Sequence, residues 1–225
     1  GWTTADAEPL IPQTALMGMS KPMVFDGIDD YVDFGDSNTF SFGDGSNDSA
    51  FSVSLWFKAN DSTSIGLIGK ATSSSNREWY LSTSSDERIY FYITDESESS
   101  NFEHYIRSES VESLENTWIH VVGTYDGTGG NDADDGLNIY VNGASNINAR
   151  TGTKAGYTAM ENLTGSLVIG RGVSAYMDGD INEVSLWDKE LSLAEVQELF
   201  NDGVALDATT RSASPSTGTD NLIGY

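Results

Sequence analysis

Three groups of side chains could do chemistry. The first is acidic: Phe25 to Asp36 reads FDGIDDYVDFGD, with Asp26, Asp29, Asp30, Asp33 and Asp36 close together. Carboxylates at that density suit a hard divalent cation, because Ca²⁺ gathers six to eight oxygens from flexible loops. They equally suit the polar side of an ordinary hairpin. The second group is Arg77, Trp79, Arg88, Tyr90, Tyr92, Arg171 and Tyr176. Sugars stack their C–H faces on aromatic rings and exchange hydrogen bonds with polar side chains, so rings beside guanidinium groups are candidates for glycan binding. Tyrosines are also favoured in strands for cross-strand packing alone. The third is the loop TGGNDADDG, with Asp132, Asp134 and Asp135. Its spacing fails the calcium-loop pattern, since Gly136 stands where a third ligand belongs and no bidentate Glu follows, so a solvated hairpin loop is expected.

These residues must be positioned by strands. In FSVSLWFK, Phe51, Val53, Leu55 and Phe57 alternate with Ser52, Ser54, Trp56 and Lys58, the pattern of a half-buried strand. RIYFYI sets Ile89, Phe91 and Ile93 against Arg88, Tyr90 and Tyr92, and LNIYVNG ends in Asn142-Gly143, a strong hairpin signal. SIGLIGK, EWYLST, FEHYIR, TWIHVVGTYD, SLVIGR and INEVSLW are further short strands between polar loops. One helix is signalled by LSLAEVQELFNDG: Ser192 as N-cap, Glu195 closing a capping box, Leu191 and Val196 as a hydrophobic staple, Gly203 as stop. The fold class is therefore all-β, a two-sheet antiparallel jelly-roll sandwich with one short C-terminal helix. Residues 1–21 lead into it, 22–203 form it, and 204–225 are a polar linker followed by a terminal strand.

The chain has 225 residues, 35 acidic against 11 basic, a formal charge of −24 and no cysteine. That field repels phosphate backbones and anionic membranes, which argues against nucleic acid as a partner, and it attracts divalent cations. No apolar run reaches the ~18 residues of a membrane span. Disulfide and thiolate chemistry are excluded. A chain that opens on Gly without a signal peptide is expected to be a processed product or an excised unit.

The ordered segments MVFDGIDDYVDFGD, FSVSLWFKA, TWIHVVGTYDG, LNIYVNG, SLVIGR and DGDINEVSLWDKELSLAEVQELF, spanning roughly residues 22 to 203, resemble the laminin G-like, concanavalin A-like jelly rolls. The resemblance implies two antiparallel sheets, one with a concave face, and often a structural calcium ion. It implies no reaction, because the fold hosts lectins, adhesion modules, hydrolases and lyases. By the family pattern the calcium ligands correspond to Asp26 and Asn182, with Asp29, Asp30 and Asp180 as additional ligands. Asn182 stands where the family carries an acid and is expected to face inward with Val184 and Leu186. Trp56, Trp118, Trp187 and His120 fall at framework positions, Trp79 is the freer ring, and His104 is unassigned.

The chain lacks the E-x-D-x-E pair of glucanases resembling this fold. A loose echo of alginate lyases is carried by Arg107, His120, Lys154 and Tyr157. The family usually opens with a strand like LIGYW, missing here at the front, while NLIGY stands at residues 221–225. It is expected either to begin a following repeat or to fill the vacant sheet edge. The resulting expectation is a noncatalytic, calcium-stabilised carbohydrate-binding or adhesion module of an extracellular or virion-surface protein, with a glycan and neighbouring repeats or subunits as partners. The alternatives are a structural spacer of a tandem array or virion, and a polysaccharide lyase.

Overall fold

The computed structural model describes residues 21–97, 102–152, 154–173, 175–206 and 221–225. Most of the expected leading segment and residues 207–220 of the expected linker lie outside the described residues. In chain order the strands are β1 (Met23–Asp26), β2 (Val32–Asp33), β3 (Phe51–Ala59), β4 (Gly66–Ser73), β5 (Asn76–Thr83), β6 (Arg88–Asp95) and β7 (Phe102–Ser110). There follow β8 (Ile119–Tyr125), β9 (Leu137–Val141), β10 (Ala144–Ser145), β11 (Ala149–Arg150), β12 (Leu167–Ile169) and β13 (Asp178–Trp187). A helix, α1 (Leu193–Phe200), and a last strand, β14 (Leu222–Gly224), complete the order. One seven-stranded antiparallel sheet runs β1-β13-β3-β8-β9-β10, with β14 also on β13; the other runs β11-β7-β6-β5-β4-β12-β2. This is the expected jelly-roll sandwich.

The inner faces follow the alternation in the sequence. Phe51, Val53, Leu55 and Phe57 meet Leu81, Phe91, Ile93 and Ile106 in one continuous core. Phe51 sits among rings, stacked on Phe42 at 4.1 Å and tilted on Trp79 at 5.3 Å. Truncating such a ring costs about 3–5 kcal/mol.

The outer face of the β3 sheet differs from the half-buried expectation: Ser52, Ser54 and Trp56 are buried as deeply as the core side. The cause is α1, whose Val196 and Leu199 close a second apolar cluster with Val122, Trp187 and Leu191. The helix carries the expected capping box, Ser192 Oγ accepting from Glu195 N–H and Glu195 Oε2 accepting from Ser192 N–H. It stops earlier than expected, at Phe200, because Asn201 takes the left-handed conformation that caps it.

Residues 222–224 occupy a sheet edge. β1 pairs with the first half of β13, Met23 to Asp26 against Ile181 to Asp178, and β14 pairs with its second half at Leu186 and Trp187. The backbone bond from Asp188 N–H to Asn221 C=O and the Asn221 amide on Asp188 Oδ1, both near 3 Å, fasten its start. Within the acidic stretch, Phe34 is 55% exposed. Asp36 with Glu78 holds Lys70, whose ammonium is fully buried 2.9 and 2.7 Å from the two carboxylates.

Candidate functional site

The outer face of the β6 sheet carries four tyrosines. Strand register sets Tyr80, Tyr92 and Tyr105 in one cross-strand row, with Tyr90 two residues before Tyr92 on the same face. Tyr80 stacks on Tyr92 with centroids 4.4 Å apart, Tyr92 on Tyr90 at 5.5 Å, and Tyr105 tilts against both at 5.4 Å. Gly69, opposite Tyr80, has no room for a Cβ because the Tyr80 Cβ and the backbone of Trp79 and Tyr80 lie too close. Charged groups frame the rings. The Tyr90 hydroxyl donates to Asp86 at 2.9 Å and accepts from Arg107 at 3.2 Å. Arg77 pairs with Glu96 and Glu103, and Arg88 with Glu109. The hydroxyls of Tyr92 and Tyr105 have no protein partner among the described residues. Burial pushes the Tyr92 phenol up, so it stays a neutral donor at any physiological pH.

Of the ring and guanidinium residues expected at a ligand site, Arg77, Arg88, Tyr90 and Tyr92 lie on or beside this face. Trp79 does not. It shares the inward face with Leu81, is fully buried and donates its indole N–H to Phe40 C=O at 2.9 Å. Parity along β5 turns Tyr80 outward instead, so the outward ring of EWYLST is its tyrosine. Arg171 and Tyr176 bridge to each other in the loop between β12 and β13, with Arg171 over the ring of Tyr31 at 5.0 Å, and contact none of the four tyrosines. The alternation that selected Tyr90 and Tyr92 also applies to Tyr80, Tyr105 and Arg107, but only strand register shows that they share one patch.

The expected metal ligands separate. Asp26, Asp29 and Asp30 each bring a carboxylate oxygen to within 4.8 Å of the others, all exposed. Asp26 Oδ1 also accepts the Ile28 N–H at 2.8 Å, which shapes the turn. Among the described residues no lysine or arginine pairs with any of the three. Asp180 is instead paired with Lys58 at 2.6 Å. Asn182 is placed on the wrong face by the simple alternation: Glu183, at φ 49°, forms a bulge that shifts the register between Asn182 and Ser185. Asn182 therefore lies beside Trp56 under the helix, while Leu186 faces the core beside Val53. Asp26 pairs with Asp178, not with Asn182.

The loops at one end of the sandwich enclose a polar cleft of about 390 Å³, lined by Ser46 to Asp48, Gly127 to Asn131, Tyr157 and Thr158. Its fixed point is Asp48. Oδ2 accepts from the Tyr125 and Tyr157 hydroxyls at 2.8 and 2.9 Å, and Oδ1 from Met160 N–H at 2.8 Å. Burial raises the Asp48 carboxyl to about 6, against the opposing pull of those hydrogen bonds. Behind Tyr157 lies His104, fully buried, edge-on to its ring at 4.7 Å, with Nδ1 3.1 Å from Asp134 Oδ1. Asp134 is thus buried, which corrects the reading of its loop as wholly solvated; Asp132 and Asp135 remain exposed. No sequence pattern marks this cleft, because its lining comes from three loops far apart in the chain.

The residues of the lyase echo are not gathered. His120 lies on the helix-covered side of β8, 2.9 Å from Ser54 Oγ, tilted against Trp56 and stacked on Phe200, which also contact each other, and burial lowers it to about 3. Arg107 lies on the tyrosine face, and Tyr157 lines the cleft with Lys154 next to it, so only these last two of the four lie together.

An antiparallel sandwich with one helix-covered sheet and one sheet bearing a cross-strand row of tyrosines defines a jelly roll of the lectin-like class. The chain belongs to the concanavalin A-like lectin/glucanases superfamily, whose model matches residues 26–197. No curated protein matches it. Among solved structures, the binding domain of botulinum neurotoxin serotype D is similar at 17% identity with a TM-score of 0.54, covering 82% of this chain and 43% of that one. A heptameric SAP-like pentraxin from Limulus polyphemus is similar at 17% identity and a TM-score of 0.49, covering 85% and 89%. A putative carbohydrate-binding protein from Bacteroides ovatus is similar at 18% and 0.45, covering 85% and 50%. These likenesses concern the fold. No helix among the described residues is long and apolar enough to cross a membrane.

Proposed function

We propose that this chain is a noncatalytic carbohydrate-binding module that engages a glycan on the tyrosine face. The observation that carries the proposal is the grouping of Tyr80, Tyr90, Tyr92 and Tyr105 with Arg77, Arg88 and Arg107 on the outer face of one sheet. Rings in mutual contact cover each other's inner faces, so the patch meets a ligand through ring edges, hydroxyls and guanidinium groups. That combination suits an extended, hydroxyl-rich chain lying across strands. Membership of a superfamily that includes lectins supports this reading. With a charge of −24, the module works outside the cell, within a larger secreted, cell-surface or virion-surface protein.

Calcium is part of the same proposal. The three carboxylates of Asp26, Asp29 and Asp30 form an oxygen-only donor set with no lysine or arginine paired to it among the described residues, which fits a hard cation. The ion would hold the turn after β1 by neutralising three clustered charges. Asp180 and Asn182 are left out of the set.

The test is a polysaccharide array probed with the wild-type chain, Tyr92→Ala and Tyr105→Ala. The expected result is binding to at least one polysaccharide, weakened about tenfold or more in either variant, as losing a ring contact of ~1.5 kcal/mol implies. An array silent for the wild type would sink the proposal and leave a structural spacer.

A further inference from the structure

We infer that the loop-end cleft is a second binding site, separate from the tyrosine face, which takes one uncharged sugar or polyol unit through adjacent hydroxyls. It shares no residue with the tyrosine patch. Its volume of about 390 Å³ falls at the lower end of small-molecule sites, enough for one or two sugar rings.

The chemistry of the lining selects the ligand. Asp48 is a pre-set acceptor, because three hydrogen bonds from Tyr125, Tyr157 and Met160 lock its carboxylate. A carboxylate offers roughly four lone-pair directions, so about one remains for a ligand. The side-chain oxygen of Asn131 accepts the Gly156 N–H at 3.1 Å, which orients the amide and leaves its NH₂ as a donor. Thr158 has both backbone groups engaged, its N–H on Asp95 and its C=O on Gly130 N–H, and its hydroxyl has no protein partner among the described residues. The Ser46 hydroxyl is equally unpartnered among them. A fixed acceptor facing an oriented amide donor and two rotatable hydroxyls complements groups that each donate and accept, which is what neighbouring hydroxyls of a sugar do.

Other ligand classes fit worse. An anion would meet Asp48 with no lysine or arginine in the lining among the described residues. A calcium ion needs six to eight oxygens, whereas among the described residues Asp48 is the only carboxylate lining the cleft and three of its lone pairs are taken. An apolar ligand would bury the free amide and hydroxyls unpaired.

The site is tested by saturation-transfer NMR on the full chain with methyl glucoside, methyl galactoside and methyl mannoside, and with methyl glucuronide as the anionic control. The variants are Ser46→Trp, which fills the cleft mouth from an exposed position, Asn131→Ala, and the tyrosine-face pair Tyr92→Ala and Tyr105→Ala. Far-UV dichroism and melting temperature confirm folding of each. At least one neutral glycoside is expected to bind and the glucuronide not. Ser46→Trp and Asn131→Ala are each expected to weaken that binding by about tenfold when introduced into the Tyr92→Ala, Tyr105→Ala background, in which the outer face no longer contributes. Absence of binding by all three neutral glycosides, tighter binding of the glucuronide, or binding unchanged in both cleft variants would overturn the inference. Loss of glycoside binding in the tyrosine variants alone would assign the sugar to the outer face and overturn it too. A silent polysaccharide array together with glycoside binding to the cleft would remove the tyrosine-face proposal and leave this one standing.

Discussion

Acid should weaken this fold through His120, and a His120→Phe variant should remove that weakness. The imidazole is 1% exposed, packs against Trp56 and Phe200, and touches one polar side chain, Ser54. Its second ring nitrogen, Nδ1, has no hydrogen-bond partner among the described residues. Burial lowers its folded pKa from an ordinary 6.5 to about 3. Below pH 6.5 the unfolded chain takes up a proton that the folded chain refuses. Stability is therefore complete above that pH and falls as pH drops toward 3, by up to about 1.4 kcal/mol per pH unit. Two units down, at pH 4.5, the loss from this one group is about 3 kcal/mol.

Phenylalanine keeps a ring packed against Trp56 and Phe200 and abolishes the titration. It leaves the Ser54 hydroxyl buried without its partner, at about 1–3 kcal/mol. Urea unfolding monitored at pH 7 and pH 4.5 should show the variant less stable at pH 7, with the gap closing or reversing at pH 4.5. Every carboxylate is common to both proteins, so the difference isolates the histidine. Parallel pH dependences for the two proteins would refute the assignment of a neutral, buried imidazole.

Removing the partner of a buried charge should be costly at a second place: Glu78→Ala leaves the Lys70 ammonium fully buried with only the half-exposed Asp36 carboxylate and the Leu163 carbonyl, and urea unfolding should show a loss of about 3–5 kcal/mol. The Asp48 carboxyl, raised from 3.8 to about 6, works in the opposite sense to His120. The folded chain holds its proton longer, so this group withdraws up to ~3 kcal/mol of stability as pH rises from about 4 to 6. Asp48→Asn, compared with wild type by urea unfolding at pH 4 and 7, should fare relatively better at pH 7. Thermal melting in calcium should exceed that in chelator, by RT ln(1 + [L]/Kd), and Asp29→Asn should shrink the difference; identical melting curves would remove the ion from the proposal. Ile223→Asp, which puts a charge where β14 packs on the core, should lower urea stability by about 1–3 kcal/mol; an unchanged midpoint would mean that the terminal strand contributes nothing to the edge it covers.

Much of this molecule was legible in its residues. Alternation in FSVSLWFK and RIYFYI located the core, because side chains on a strand point to opposite faces and only the apolar set can be buried without partners. Ser192 and Glu195 announced the helix through a local hydrogen-bond pattern. The family pattern led to the terminal NLIGY, which does lie along an edge of the sheet. Alternation misled where it was broken or incomplete. The bulge at Glu183 reversed the face of Asn182, and nothing in INEVSLW reports it. Trp79 looked free because a tryptophan may sit on either face, and the neighbouring Leu81 and Tyr80 decide which only once the strands are paired. Depth on the outer faces also lay beyond the pattern, since whether Ser52 and His120 meet water or a helix depends on where α1 folds back. The cleft is the extreme case: Asp48, Asn131 and Thr158 are distant in sequence and belong to no element with a period. Local hydrogen bonding and side-chain alternation are properties of a short stretch of chain, so the sequence carries them openly. The meeting of loops, the pairing of buried charges and the reversal at a bulge arise from contacts between distant segments, and only the tertiary structure decided them.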